Sequence, residues 1–263
     1  MPNKNADEFS RFAHAFGWAP HEDIGNHVRR VVHAKNGASA NEGPNAQAVY
    51  PHDEFVLSPH YPSYVLFYCV SPPATGGETP INNSIILYRR LKERHPEFIE
   101  EIENKGVKYQ LFYDNAPRDQ TSSARNSVLQ AYGGTVLSSD GIDTVRAKIE
   151  LEIRRLPTAT WSWENQSESN KLGDLRVWQH LPGESRDAGA AAHQQQRGVL
   201  AAGSVRRWVT YIQTVFGLCS RNNQGHQIIS FLDNHAVQHA REPWTGNRKL
   251  LASLWDEPSK IKA

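Results

Sequence analysis

The stretch HDEFVLSPHYPSYVLFYCVSPPATGGETPI, residues 52–81, decides how the rest of the chain is read. Its centre, YVLFYCV (64–70), is an unbroken apolar, aromatic and β-branched run, the composition of a buried strand. SPPATGGETP (71–80) follows as a turn-rich loop by its Pro and Gly content. The stretch opens with His52-Asp53-Glu54. On an extended backbone alternate side chains share a face, so His52 and Glu54 reach one ion together while Asp53 points away. One imidazole and one carboxylate supply two corners of a coordination sphere. The 2-His-1-carboxylate triad is the ligand set that leaves open positions on non-haem Fe(II). A third ligand has to come from farther along the chain, where His60, His180, His193, His226, His235 and His239 are candidates.

Working outward, residues 7–17 place Phe9, Phe12, Ala13 and Phe16 at helical spacing with Gly17 as a stop. VRRVVH (28–33) reads as a strand and ASANEGPNAQA (38–48) as a loop. Residues 81–106 read as two helices, the first capped by Asn83 or Ser84 and the second starting at Pro96. VKYQLFY (107–113) alternates as a strand does, 139–156 is helical, and TATWSWEN (158–165) and LRVWQHLP (175–182) form a strand pair. Residues 184–207 are rich in Ala, Gly and Gln and read as a flexible loop or weak helix. HQIISFLDN (226–234) and RKLLASLW (248–255) are strands flanking a loop over 235–247. Helices lie outside a strand-rich pattern, which favours an antiparallel β core over βαβ units.

Composition sets the outer bounds. The 263 residues carry 29 Lys and Arg against 28 Asp and Glu, so no basic face argues for nucleic acid. No apolar run approaches the roughly 18 residues of a membrane span, and the first residues lack the apolar core of a signal peptide. Cys69 and Cys219 are the two cysteines. They provide no disulfide framework and point to a reducing, cytoplasmic setting. The length suits a single domain over 1–263.

The same residues carry a resemblance. HDEFVLSPHYPSYVLFYCVSPPATGGETPI (52–81) and FLDNHAVQHAREPWTGNRKLLASLW (231–255) resemble the taurine dioxygenase (TauD/TfdA-like) family of Fe(II)/2-oxoglutarate dioxygenases, in its clavaminate-synthase-like branch. The shared features are an HxE, a Tyr-Pro pair, an aromatic strand ending in FYC, GGxT, and a later D-N pair with a distal His, an Arg two residues on, and a basic lead into the last strand. The resemblance implies a mainly β fold with flanking helices, a double-stranded β-helix (jelly roll, cupin-like). It implies Fe(II) ligands His52, Glu54 and His239, with His235 as a neighbour, and Thr79 on the distal carboxylate of the cosubstrate 2-oxoglutarate. An arginine on the final strand pairs with that carboxylate in the family. Arg248 suits it, because a planar guanidinium grips a carboxylate with two bonds; Lys249 is the other candidate. Arg241 is a further contact for an anionic group.

By that resemblance the chain is an oxidoreductase of secondary metabolism. It would use molecular oxygen to oxidise a small organic substrate, hydroxylation being the default, with 2-oxoglutarate converted to succinate. Two departures favour an alternative, a catalytically impaired relative acting as a binding protein. Only 51 residues precede His52, and 184–226 depart from the family pattern, with Gly225-His226 in place of Gly-Asp. A cupin-like isomerase or hydrolase is a third reading, disfavoured by the lack of a clustered HxHx ligand set.

Overall fold

The computed structural model describes residues 6–25, 30–40, 43–55, 57–58, 60–115, 127–165, 172–181 and 229–257, together with the backbone of 214–216. In chain order, helix α1 (Ala6–His14) leads into strands β1 (Ala19–Pro20), β2 (Val32–Ala34), β3 (Gly37–Ser39), β4 (Val49–His52), β5 (Tyr64–Ser71), β6 (Thr75–Gly76) and β7 (Thr79–Asn83). Helices α2 (Ser84–Arg94) and α3 (Pro96–Lys105) precede β8 (Val107–Tyr113). Helices α4 (Val128–Tyr132) and α5 (Ile142–Arg154) precede β9 (Ala159–Glu164) and β10 (Asp174–Leu181). The chain then supplies β11 (Thr214–Phe216), β12 (Ile229–Asp233), β13 (Val237–Arg241), β14 (Trp244–Thr245) and β15 (Lys249–Asp256).

Two antiparallel sheets form the centre. One runs β12-β5-β15-β3-β2 with β1 added on β15; the other runs β11-β7-β13-β4. They pack face to face through Val65, Phe67, Leu232 and Ala252 on the first sheet and Ile81 and Val237 on the second. The outer face of β5 is covered too, because Leu66 and Tyr68 meet Phe9 and Ala13 of α1 and Trp255 of β15. Burial on both faces explains why YVLFYCV shows no polar alternation. A third sheet, β8-β10-β9, builds a separate core with α4 and α5 around Tyr113, Val128, Ile149, Ile153 and Leu175. The architecture is mainly β with flanking helices, and the facing sheets give the expected jelly-roll arrangement. Among the described residues the two sheets share no strand, so no barrel closes.

Asn83 caps α2, its Oδ1 accepting the Ile86 N–H at 3.0 Å, and Pro96 opens α3, both as expected. Three loop expectations need correction. Gly37–Ser39 is a strand, Thr79 starts β7, and the region 235–247 contains β13 and β14. β13 lacked an apolar signature because polar residues, Gln238, His239 and Arg241, occupy its buried positions. Cys219 lies outside the described residues. So do Val28 and Arg29 of the expected strand over 28–33, and all of 184–226 apart from the β11 backbone. No described helix is long and apolar enough to cross a membrane.

Candidate metal centre

Strand register builds the centre. His52 ends β4, and His239 lies directly opposite it on β13. Side chains at directly opposite positions of an antiparallel pair project to the same face, and here the two imidazole rings are 4.4 Å apart. Glu54 sits two residues beyond His52 in a turn, its Oε1 3.5 Å from His239 Nε2. Ligand atoms of His52, Glu54 and His239 all lie within 4.8 Å of one another. Asp53 points the other way, as alternation requires. It is buried, with Gln238 Nε2 at 3.5 Å from its Oδ2.

The turn that carries Glu54 is held by Asn234, the second residue of the D-N pair. Its fully buried side-chain oxygen accepts the Glu54 N–H at 2.9 Å. Its amide nitrogen donates to the Glu54 carbonyl at 3.2 Å and the Pro62 carbonyl at 2.8 Å. Phe55, the next residue, adopts φ 58°, a left-handed conformation uncommon for a bulky side chain. Each buried polar group left without a partner costs about 1–3 kcal/mol. Asn234→Ala orphans three backbone groups and is expected to lower stability by about 3 kcal/mol or more in urea denaturation. A loss below about 1 kcal/mol would show that the turn holds without the clamp.

The electrostatics bear on what these side chains can hold. The His52 Nδ1–H donates to the Tyr50 carbonyl at 2.8 Å, which leaves Nε2 unprotonated and available to a metal. Desolvation, then the facing His239, lowers the His52 pKa; Glu54 pulls the other way. Burial works against ionisation of Glu54, but Arg30, then His239 and His52, outweigh it and hold the carboxyl well below the usual carboxylate range. At acid pH the unfolded chain therefore binds more protons than the native one. Metal-free stability is expected to hold above the ordinary imidazole value of 6.5 and to fall as the pH drops through it. A second loss should set in below the ordinary carboxylate value of 4.5. A urea midpoint that rose between pH 7 and pH 5 would contradict this.

The triad lines a cavity of about 230 Å³ together with Arg30, Thr79, Arg241 and Arg248. Thr79 and Arg248 are buried, whereas Lys249, the first residue of β15, is exposed and outside the cavity lining. Gly77 has φ 74°, and a Cβ there would come within 3.0 Å of the Arg248 side chain, so glycine lets the GGET turn lie against this arginine. Arg241 donates to the Gln47 carbonyl at 2.8 Å and lies over the Trp244 ring. His235 stands in the turn between β12 and β13, edge-on to Tyr61 and outside the triad. His60 bonds the Glu22 carbonyl and stacks on His21, and His180 lies on β10. His193 and His226 lie outside the described residues. The sequence reading missed Arg30, because no local pattern links a residue before β2 to a turn after β4.

The model of the taurine catabolism dioxygenase TauD, TfdA family matches residues 2–149, more than half of the chain. The chain belongs to this family. The match includes His52, Glu54 and Thr79 and ends before His239. Over 109 residues this TauD/TfdA chain is 36% identical to a clavaminate synthase-like protein of Arabidopsis thaliana, covering 41% of the chain but only 33% of that relative. Among solved structures it is similar to the non-heme iron oxygenase OrfP in complex with Fe, succinate and (3S)-hydroxy-L-Arg. There the TM-score is 0.45 at 12% identity, over 95% of this chain and 66% of that one. It is also similar to the PvcB protein from Pseudomonas aeruginosa, with TM-score 0.40 at 13% identity, over 99% of this chain and 74% of that one.

Proposed function

We propose that the chain is an Fe(II)- and 2-oxoglutarate-dependent oxygenase that hydroxylates a small organic molecule. The observation that carries this reading is the β4–β13 register, which sets His52 and His239 side by side with Glu54 against them. Two imidazoles and a carboxylate, with ligand atoms within 4.8 Å of one another, form the facial donor set that would suit Fe(II). The tautomer fixed on His52 and the ionised Glu54 are the forms a metal requires. Fe(II) held there supplies the redox chemistry that couples decarboxylation of 2-oxoglutarate to oxygen insertion into a C–H bond. The balance is 2-oxoglutarate, O2 and R–H giving succinate, CO2 and R–OH.

The chain's own residues do the positioning. Arg248 and Thr79 take the distal carboxylate of 2-oxoglutarate, the arginine by a two-pronged charge-assisted grip and the threonine by its hydroxyl. Phe67, edge-on to His239 at 5.0 Å, and Leu250 give the cavity an apolar wall. A low-dielectric wall strengthens each charged contact inside the cavity. Protein incubated with Fe(II), ascorbate and 2-oxoglutarate is expected to form succinate, slowly even without a prime substrate, and a chelator should stop it. Binding of both ligands with no succinate would instead make the chain a binding protein.

A further inference from the structure

Arg30 belongs to no motif described above. It precedes β2, its side chain is 9% exposed, and it lines the same cavity as the triad. Its Nη2 donates to Glu54 Oε2 at 2.8 Å, while the other carboxylate oxygen, Oε1, faces His239 Nε2 at 3.5 Å. The carboxylate is thus divided, one oxygen toward the triad and one toward the guanidinium. Glu54 is also the one carboxylate among the described cavity-lining residues. A guanidinium buried there is costly unless it is paired, so the Arg30–Glu54 contact is a built feature of the cavity.

That division matters for coordination. A carboxylate gives a metal one oxygen or both. A facial triad fills three of six octahedral positions; a chelating keto acid fills two more, and one is left for oxygen. Glu54 binding through both oxygens would take a position that one of these needs. We propose that Arg30 is a positioning residue: by engaging Oε2 it restricts Glu54 to one-oxygen ligation and keeps the positions that 2-oxoglutarate and oxygen need clear. This inference rests on the metal reading proposed above. The opposing picture is an arginine that only neutralises Glu54 in the metal-free protein and leaves when a metal arrives.

Crystals of the parent protein with Mn(II) and 2-oxoglutarate, grown anaerobically, separate the two. The expected result has Arg30 still hydrogen-bonded to Oε2 and a single Glu54 oxygen on the metal. Metal bound with Arg30 displaced, or with both Glu54 oxygens on it, overturns the inference and leaves the metal reading standing. A parent that binds no Mn(II) or Fe(II) overturns both. In solution, Arg30→Ala should weaken 2-oxoglutarate binding to the metal-loaded protein, because a Glu54 free to bind through both oxygens competes with the keto acid; the expected loss is about 10- to 100-fold, the size that removing an outer-sphere partner has on metal affinity or activity. Arg30→Lys, which keeps a donor and the charge, should recover part of it. Unchanged affinity in Arg30→Ala overturns the inference. Should that variant fail to fold, the parent crystals still decide.

Discussion

His239→Ala protein is expected to bind no Fe(II) in an anaerobic titration that saturates the parent. In the proposed centre His239 is one of three ligands, and the two that remain, His52 and Glu54, come from the end of one strand and the turn after it. Its place in the fold does not depend on the imidazole, because the β13 ladder to β7 and β4 is made by backbone. His239 Nδ1 is buried without a hydrogen-bond partner, so removing the ring also removes an unsatisfied polar atom. The variant should therefore still fold, with a urea midpoint lowered by the loss of the Glu54 and Phe67 contacts, while losing the metal. Full Fe(II) affinity in this variant would refute the assigned triad and turn attention to His235, four residues earlier.

Arg248→Ala is expected to cost the second-largest effect, in 2-oxoglutarate affinity. Truncating one member of a buried, hydrogen-bonded charge pair costs about 2–5 kcal/mol, which corresponds to roughly 30-fold to several-thousand-fold in Kd. Arg248 is 5% exposed and shares the cavity lining with Thr79 and the triad. Lys249→Ala is the matched control, because its side chain is exposed, and little change is expected. Fe(II) binding should survive in both variants, so the affinity for 2-oxoglutarate can be read separately from the metal. A large loss in Lys249→Ala with none in Arg248→Ala would transfer the role to the lysine.

The contrast between Arg248 and Lys249 marks where sequence reading stops. Alternation on a strand says that only one of two adjacent residues can face the cavity, and guanidinium chemistry favours the arginine. Neither says which of the two it is; in the fold Arg248 is buried and Lys249 is exposed. The strands with strong apolar patterns, β5, β8, β10 and β15, were legible because burial wrote their pattern. β7 and β13 were not, since Thr79, Asn82, Gln238 and His239 replace apolar residues at buried positions. His239 itself was legible through the DNHAVQHAR stretch and its resemblance, not through periodicity. Arg30 was invisible, because its partner Glu54 lies 24 residues away and meets it only after folding. Asn234 stood in the signature as half of a D-N pair, but its role as a clamp on the Glu54 turn depends on three backbone groups that only the folded chain brings to it.

The central claim is that His52, Glu54 and His239 form a centre that takes up Fe(II) and then 2-oxoglutarate. Anaerobic titration of the Fe(II)-loaded parent with 2-oxoglutarate, followed through the visible charge-transfer absorption of the chelate, tests it most directly. The predicted result is a band that saturates at one 2-oxoglutarate per chain and is absent from the His239→Ala protein. No band at saturating Fe(II) and 2-oxoglutarate, or the same band in both proteins, would contradict it.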